Sequence, residues 1–344
     1  MNYHTFELCY ELTPFENRYY KNILYKSKGR TYLDKNEYVP TIICETLRSY
    51  GIIIKIQKFK KNAYDYYMMY YRINPRRVME QNNYIGLFHE KDTDIMLEKV
   101  NGYLKTIHQS MPSADQCRIN RIDFCTNITM SGQEEIFEYI KVLQRGFYLK
   151  NYEPELFYDA ISKRSKFTKN ACNIVKKKTV KITYYNKYDQ LQENKWCRNI
   201  GDAKNILRAE IHCEKQKIRH LMNKFGYADT RSFLKHSDKI GTYVFLYYAN
   251  KFCGSGDFYK IDEIYKEIER SSFKKKTKKL MKEFVQCSAK HSSADKAIRK
   301  LCWSNKNVLS IIKKFNKIGV SPVVIPLKSK YDSFKNPLTL ALDA

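Results

Sequence analysis

Acidic residues are scarce in this chain of 344 residues: 36 Asp and Glu stand against 63 Lys and Arg, a formal charge of +27. The basic excess is spread along the chain, so it belongs to folded surface and not to a tail. A field of that sign favours polyanions: DNA, RNA or an anionic membrane. Long apolar runs are missing as well. No stretch approaches the roughly 18–20 residues of a spanning helix, which makes the membrane the weaker option. The N-terminus MNYHTFELCYEL is acidic and alternating, unlike a signal peptide. The ten cysteines form no CxxC pair, which argues against a zinc ribbon or a disulfide framework. They are expected to be reduced core residues of a cytoplasmic protein. GSGDFY (Gly254 to Tyr259) has no Lys-Ser/Thr pair after it, so nucleotide hydrolysis has no support. The chain shows no internal repeat and no low-complexity linker.

What is present is a set of β-rich runs followed by helical periodicity. Tyr3 to Leu12 reads as a strand. Gly51 to Phe59 and Ala63 to Ile73 read as a hairpin about a KKN turn. Asp92 to Ile107 starts with an Asp cap and carries apolar residues at helical spacing. Cys117 to Ile128 is a strand and Gly132 to Gly146 a helix. KKTVKITYYNKYDQL and Asn205 to Lys215 are strands, the latter leading into the helical KIRHLMNKFG. From about residue 225 the pattern is helical almost throughout, ending in the extended piece VSPVVIPLKS. The expectation is an α+β fold with two domains, residues 1–225 mixed and residues 226–344 mostly helical.

Side chains alternate across a strand. In RINRIDFCTNI, Ile122, Phe124 and Ile128 share one face; Arg121, Asp123, Cys125 and Asn127 share the other. In ILRAEIHCE, Leu207, Ala209, Ile211 and Cys213 oppose Arg208, Glu210, His212 and Glu214. In TVKITYYNK, Tyr184 falls with Val180 and Ile182, whereas Tyr185 falls with Lys181 and Lys187. If a tyrosine here is chemical, parity selects Tyr185 over Tyr184, with Tyr188 in reserve. Asp123, Glu210 and His212 offer carboxylate and imidazole ligands suited to a divalent Mg²⁺ or Mn²⁺ that polarises a phosphodiester. A tyrosinate can attack such a phosphorus and keep the DNA end covalently. The bland alternative is a solvated polar face in which Asp123 or Glu210 simply pairs with Arg121 or Arg208.

NRIDF, YYNKYDQL and LRAEIHCEK, in this order, resemble motifs of plasmid and phage replication initiation proteins related to the filamentous-phage gene II protein and the transposon/plasmid initiation factors. YRINPRRVM, GSGDFY and KIGVSPVVIP are similar to matching stretches of clostridial members, so the resemblance covers most of the chain. It implies an HUH-endonuclease-like antiparallel sheet, nicking of a double-strand origin, a 5′ phosphate held on tyrosine and a 3′ hydroxyl left for rolling-circle synthesis. It implies the acidic residue of the RID strand at Asp123 and the R-x-E glutamate at Glu210. Tyr185 and Lys187 match its Y-[DN]-K element. The implied partners are origin DNA and host replication proteins. The chain departs from the family where a Y-x-G-S-R-like stretch carries the attacking tyrosine: Lys169 to Lys178 reads KNACNIVKKK, without one. It also has no His-hydrophobic-His triplet; His212 is the only histidine in a matching strand. Tyr185, Tyr184 or Tyr188 has taken over, a distant tyrosine enters, or the chain no longer nicks. The rival is a non-catalytic DNA-binding regulator on a decayed initiator fold; an RNA-binding protein is a third option.

Arg76 and Arg77 in NPRRVM, with Arg121, Lys181 and Arg208, are the expected phosphate contacts. Ser272 to Phe284 forms a lysine-rich helix. The segment from Ser292 through the closing VSPVVIP suits a helix-turn-helix or winged-helix reader, or a plain helical hairpin capped by Trp303. A charge of +27 predicts a DNA affinity that falls by about 10³-fold or more between roughly 50 and 200 mM salt, as phosphate contacts release counterions. Fluorescence anisotropy with labelled DNA measures this, and a flat response would exclude a polyanion as the partner.

Overall fold

The computed structural model describes residues 2–33, 40–61, 64–146, 152–159, 164–176, 179–193 and 200–343. In chain order the first elements are β1 (Asn2–Leu12), α1 (Pro14–Lys26), β2 (Arg30–Leu33), β3 (Pro40–Cys44), β4 (Ile52–Lys61), β5 (Tyr64–Ile73), α2 (Pro75–Met79), α3 (Thr93–Ile107), β6 (Arg118–Thr129) and α4 (Gln133–Leu143). Then follow β7 (Glu153–Pro154), β8 (Phe157–Asp159), β9 (Arg164–Lys166), β10 (Ala171–Lys176), β11 (Val180–Asn186), α5 (Lys187–Glu193), β12 (Ile206–Glu214), α6 (Lys215–Phe225), α7 (Thr230–Leu234) and α8 (Ser237–Cys253). The chain closes with β13 (Asp257–Tyr259), α9 (Ile261–Arg270), α10 (Lys275–His291), α11 (Ala294–Leu301), α12 (Asn305–Lys317), β14 (Val320–Val324), β15 (Ser333–Phe334) and α13 (Pro337–Asp343). The fold is α+β, with a ten-stranded sheet in the order β2-β3-β4-β5-β1-β6-β12-β11-β10-β7.

By contacts the chain divides into two compact units. One holds residues 1–125, 178–180 and 212–241; the other holds 126–177, 181–211 and 242–344. The residue-225 boundary expected from composition falls within the last segment of the first unit.

In the first unit, β1, β4 and β5 pair antiparallel in long, continuous register. Their alternation separates two faces. Phe6 and Leu8, Ile52, Ile54 and Ile56, and Met69, Tyr71 and Ile73 are all buried, and α1 packs on β1, β3 and β5. The hairpin expected between residues 51 and 73 forms; its Asn62 lies outside the described residues. Helix α1, and strands β2 and β3, were not anticipated. The signal for α1 was present in Thr13-Pro14-Phe15-Glu16: Thr13 Oγ1 accepts from the Glu16 N–H, Glu16 accepts from the Thr13 N–H, and Pro14 opens the helix. NPRRVM is a short helix capped by Asn74, not a bare turn. Asp92 does precede α3, but its side chain caps nothing. Gly226, at φ +77, ends α6 as its sequence suggested.

The helices expected between residues 239 and 318 all form, most of them in the second unit. The closing VSPVVIP becomes β14, buried along its length, in a small sheet of order β14-β13-β15. Asn336, fully buried, donates to the Gly254 and Gly256 carbonyls, while its N–H donates to Asp257. Six of the cysteines, Cys9, Cys44, Cys117, Cys125, Cys172 and Cys213, are buried, Cys302 is exposed, and Cys197 lies outside the described residues.

Glycine at 256 is dictated by close backbone approach: a Cβ there would stand 2.3 Å from backbone atoms of Val320. Gly256→Ala must push β13 and β14 apart, and a loss of about 3 kcal/mol or more is expected. Thermal unfolding checks this; a midpoint unchanged from wild type would mean the backbone there yields freely.

Candidate active site

Strand β6 is buried through its middle because it lies inside the sheet, and this places a carboxylate where water cannot reach it. Asp123 in the first unit is 2% exposed. A buried carboxylate is tolerated only with partners. Arg121, two residues back and therefore on the same face, grips it with two bonds of 2.8 Å, Nε to Oδ1 and NH2 to Oδ2. His212, near the end of β12, brings Nδ1 within 2.8 Å of Asp123 Oδ1 and 2.9 Å of the Arg121 guanidinium. With a proton on Nδ1 the ring donates to Asp123 and keeps Nε2 as its acceptor, the orientation that carboxylates impose on working imidazoles. With Nδ1 bare, Arg121 donates to it. Burial by itself raises the Asp123 carboxyl, but His212 and Arg121 outweigh it and hold it well below the usual carboxylate range. Burial raises the neighbouring Glu214 carboxyl, against the pull of Arg121.

In the second unit, Tyr185 on β11 donates its hydroxyl to Glu210 Oε1 on β12 at 2.6 Å. Glu210 is 7% exposed and Tyr185 half-buried. Strand parity holds for the neighbouring ring: Tyr184 is fully buried and stacked with Phe252, centroids 6.2 Å apart. It does not hold for Lys187. The strand ends at Asn186, whose Oδ1 accepts from the Tyr188 N–H, and Lys187 opens α5. Lys187 is 2% exposed, with Nζ on Gln190 Oε1 at 2.8 Å and 6.0 Å from the Tyr185 ring centre. Arg208 is fully buried and donates from Nε to Asn127 Oδ1 at 2.8 Å. Lys181 pairs with Glu155 at 2.6 Å.

The sequence-level alternative of simple ion pairing therefore applies to Asp123 with Arg121, whereas Glu210 faces a phenol. Asn127 and Gln190 were invisible as partners, because amides on a strand face or one helical turn away carry no distinguishing pattern. Among the described residues no group of three or more His, Cys, Asp or Glu side chains is placed to hold a metal ion. As arranged, both oxygens of Asp123 lie on Arg121, so these donors do not make an ion's shell.

The basic features lie elsewhere. Arg76 pairs with Glu80, and Arg77 donates to the Gln81 and Ser49 carbonyls while covering the Tyr84 ring. On α10, Lys275, Lys278, Lys279 and Lys282 line a groove of about 560 Å³, in which Glu269 takes ion pairs from Lys278 and Lys282. Trp303 stacks on Phe284 between α10 and α12, as a helical hairpin's cap would. Compared with known families and with curated proteins, the chain matches no family model and no curated sequence.

Because the folded Asp123 carboxyl titrates below its unfolded value of about 3.9, its charge stabilises the fold fully above about pH 4–5. That contribution is lost as pH falls from there through the lowered value. Asp123→Asn leaves the Arg121 guanidinium without its carboxylate and should cost about 3 kcal/mol at pH 7, with a smaller gap to wild type near pH 3. Urea unfolding at the two pH values tests this, and an equal gap at both would show that the charge is not the cause.

Proposed function

We propose that this protein is a rolling-circle-type replication initiator, which nicks one strand of a plasmid or phage origin through Tyr185. The observation that carries the reading is the 2.6 Å hydrogen bond from the Tyr185 hydroxyl to the Glu210 carboxylate. A nucleophile paired with a base at that distance is the arrangement covalent catalysis needs. Glu210 takes the phenolic proton as the oxygen attacks phosphorus. The new O–P bond forms, the bond from phosphorus to the 3′ oxygen breaks, and Glu210 returns its proton to that oxygen. The products are a tyrosine-linked 5′ phosphate and a 3′ hydroxyl from which host replication proteins extend. The Lys187 ammonium, 6.0 Å from the Tyr185 ring centre, favours the developing tyrosinate. Mg²⁺ or Mn²⁺ dependence stays in the proposal on donor chemistry only: with Arg121 on both oxygens of Asp123 the carboxylates and imidazole do not form an ion's shell as arranged, and every step is carried by Tyr185, Glu210 and Lys187. The HUH-like character of the sheet and a cytoplasmic setting belong to the same proposal.

One observation favours a second reading. Arg121 closes both oxygens of Asp123, which suits a non-catalytic DNA-binding regulator that keeps an initiator's sheet.

The test is incubation with supercoiled DNA carrying the origin of the encoding replicon, with Mn²⁺ and with EDTA. A nicked circle bearing the protein is expected. Tyr185→Phe should abolish the adduct, and Glu210→Gln should slow it by about 10²–10⁴-fold. Tyr184→Phe should behave as wild type, because Tyr184 is packed against Phe252. Sequence-specific binding without any nicked circle, with or without the ion, would replace the nickase by the regulator.

A further inference from the structure

The first unit's sheet has a second face, which the reading above does not use. Residues directly opposite in an antiparallel pair share a face. In β4 and β5 the pairs Lys55↔Tyr70, Phe59↔Tyr66 and Ile53↔Arg72 lie opposite the all-buried Ile52, Ile54 and Ile56. The same face continues to Arg30, since Arg30 pairs with Ile43 and Ile43 with Lys55. Phe59, Tyr66, Tyr70 and Lys55 are partly exposed, and Arg30 and Arg72 are exposed. The three rings form one cluster. Phe59 and Tyr66 are stacked at 5.2 Å with planes 19° apart, and Phe59 meets Tyr70 edge-on at 6.5 Å.

We infer that this face binds single-stranded DNA by stacking bases on Phe59, Tyr66 and Tyr70 while Lys55, Arg30 and Arg72 hold the phosphates. The choice of DNA over RNA rests on the function proposed above; the stacking itself does not. Three considerations select a single strand. Rings interleaved with cations on a sheet suit a polymer that alternates planar bases with anionic phosphates. A duplex hides its base faces and offers rings nothing to stack on. The register also joins the platform to the buried pair described earlier: Arg72 stands opposite Glu7, Glu7 opposite Arg121, and Arg121 shares its face with Asp123. A strand lying on the rings thus follows one sheet face toward the Arg121–Asp123–His212 group. Glu7 and Glu11 also lie on this face, and both already face a partner. Asn120 donates to Glu7 at 2.7 Å, and Arg118 stands 3.5 Å from Glu11.

The competing role for the rings is cross-strand packing that merely stabilises the hairpin. A fluorescein-labelled oligo-dT of about 12 nucleotides separates the two, in EDTA and without origin sequence, so a failed nicking assay leaves this measurement unaffected. Expected are tight binding of the oligo-dT, much weaker binding of an abasic strand of equal charge, and weaker binding of the matching RNA. Each of Tyr66→Leu and Tyr70→Leu should weaken binding by about 5- to 100-fold, in proteins whose circular dichroism matches wild type. Folded variants that bind as tightly as wild type, or an abasic strand bound equally well, would overturn the proposal, and preference for RNA would overturn the choice of DNA. Should the variants fail to fold, photocross-linking of the wild type to a bromodeoxyuridine strand decides. Adducts mapping to residues 55–72 support the platform, and adducts confined to other peptides refute it.

Discussion

A β-strand sends successive side chains to opposite faces, and in this protein that period of two sorts greasy residues from chemical ones. In the first unit, β1, β4 and β5 bury Ile, Leu, Met, Phe and Tyr71 on one face, closed by α1. The opposite face is left for rings, cations and carboxylates. A slip of one residue in any pairing would exchange the two sets, so the long unbroken β4–β5 register is what keeps the core a core.

Inside the sheet the same rule brings a cost. On β6 and β12 the chemical face is itself covered, which leaves Asp123, Glu210 and Arg208 nearly without water. Each then holds a polar partner: a guanidinium and an imidazole for Asp123, a phenol for Glu210, an amide for Arg208. Such groups destabilise severely when one member is removed, and they stay put because neighbours over-determine them. Preorganisation of this kind is what a proton transfer between Tyr185 and Glu210 would need. It also explains how Asp123 stays ionised at a depth that alone would neutralise it.

The second unit places its positive charge differently. Its lysines concentrate on α10, where they face water and Glu269. Its interior is held by close backbone contact at Gly256 and by Asn336 bridging two carbonyls. Electrostatic reach and mechanical cohesion thus fall on separate elements, so charge on α10 could vary without loosening the small sheet.

Much was legible in the sequence where a pattern was long and local. The β4–β5 hairpin, α3, β6, β12 and the run of helices from α8 to α12 follow from periodicity and glycine stops alone, and Tyr184 against Tyr185 follows from parity. Short elements escaped: β2, β3, β13 and β15 span two to five residues, too few for a period to show, and β13 pairs only with strands far away in the chain. Parity also said which residues share a face but not whether that face is wet. Arg208 and Lys187 read as surface cations, yet they are buried, because β12 is an inner strand and Lys187 begins a helix. Identity of partners was likewise a tertiary matter. Asp123 and His212 are 89 positions apart in sequence, and Tyr185 and Glu210 are 25 apart; only strand order brings each pair within hydrogen-bond distance. The sequence by itself determined the charge, the strand faces and the helical runs, since these depend on neighbours within one turn or one pleat. The structure alone decided which polar face is buried and what each buried group touches, since that depends on which strands lie side by side.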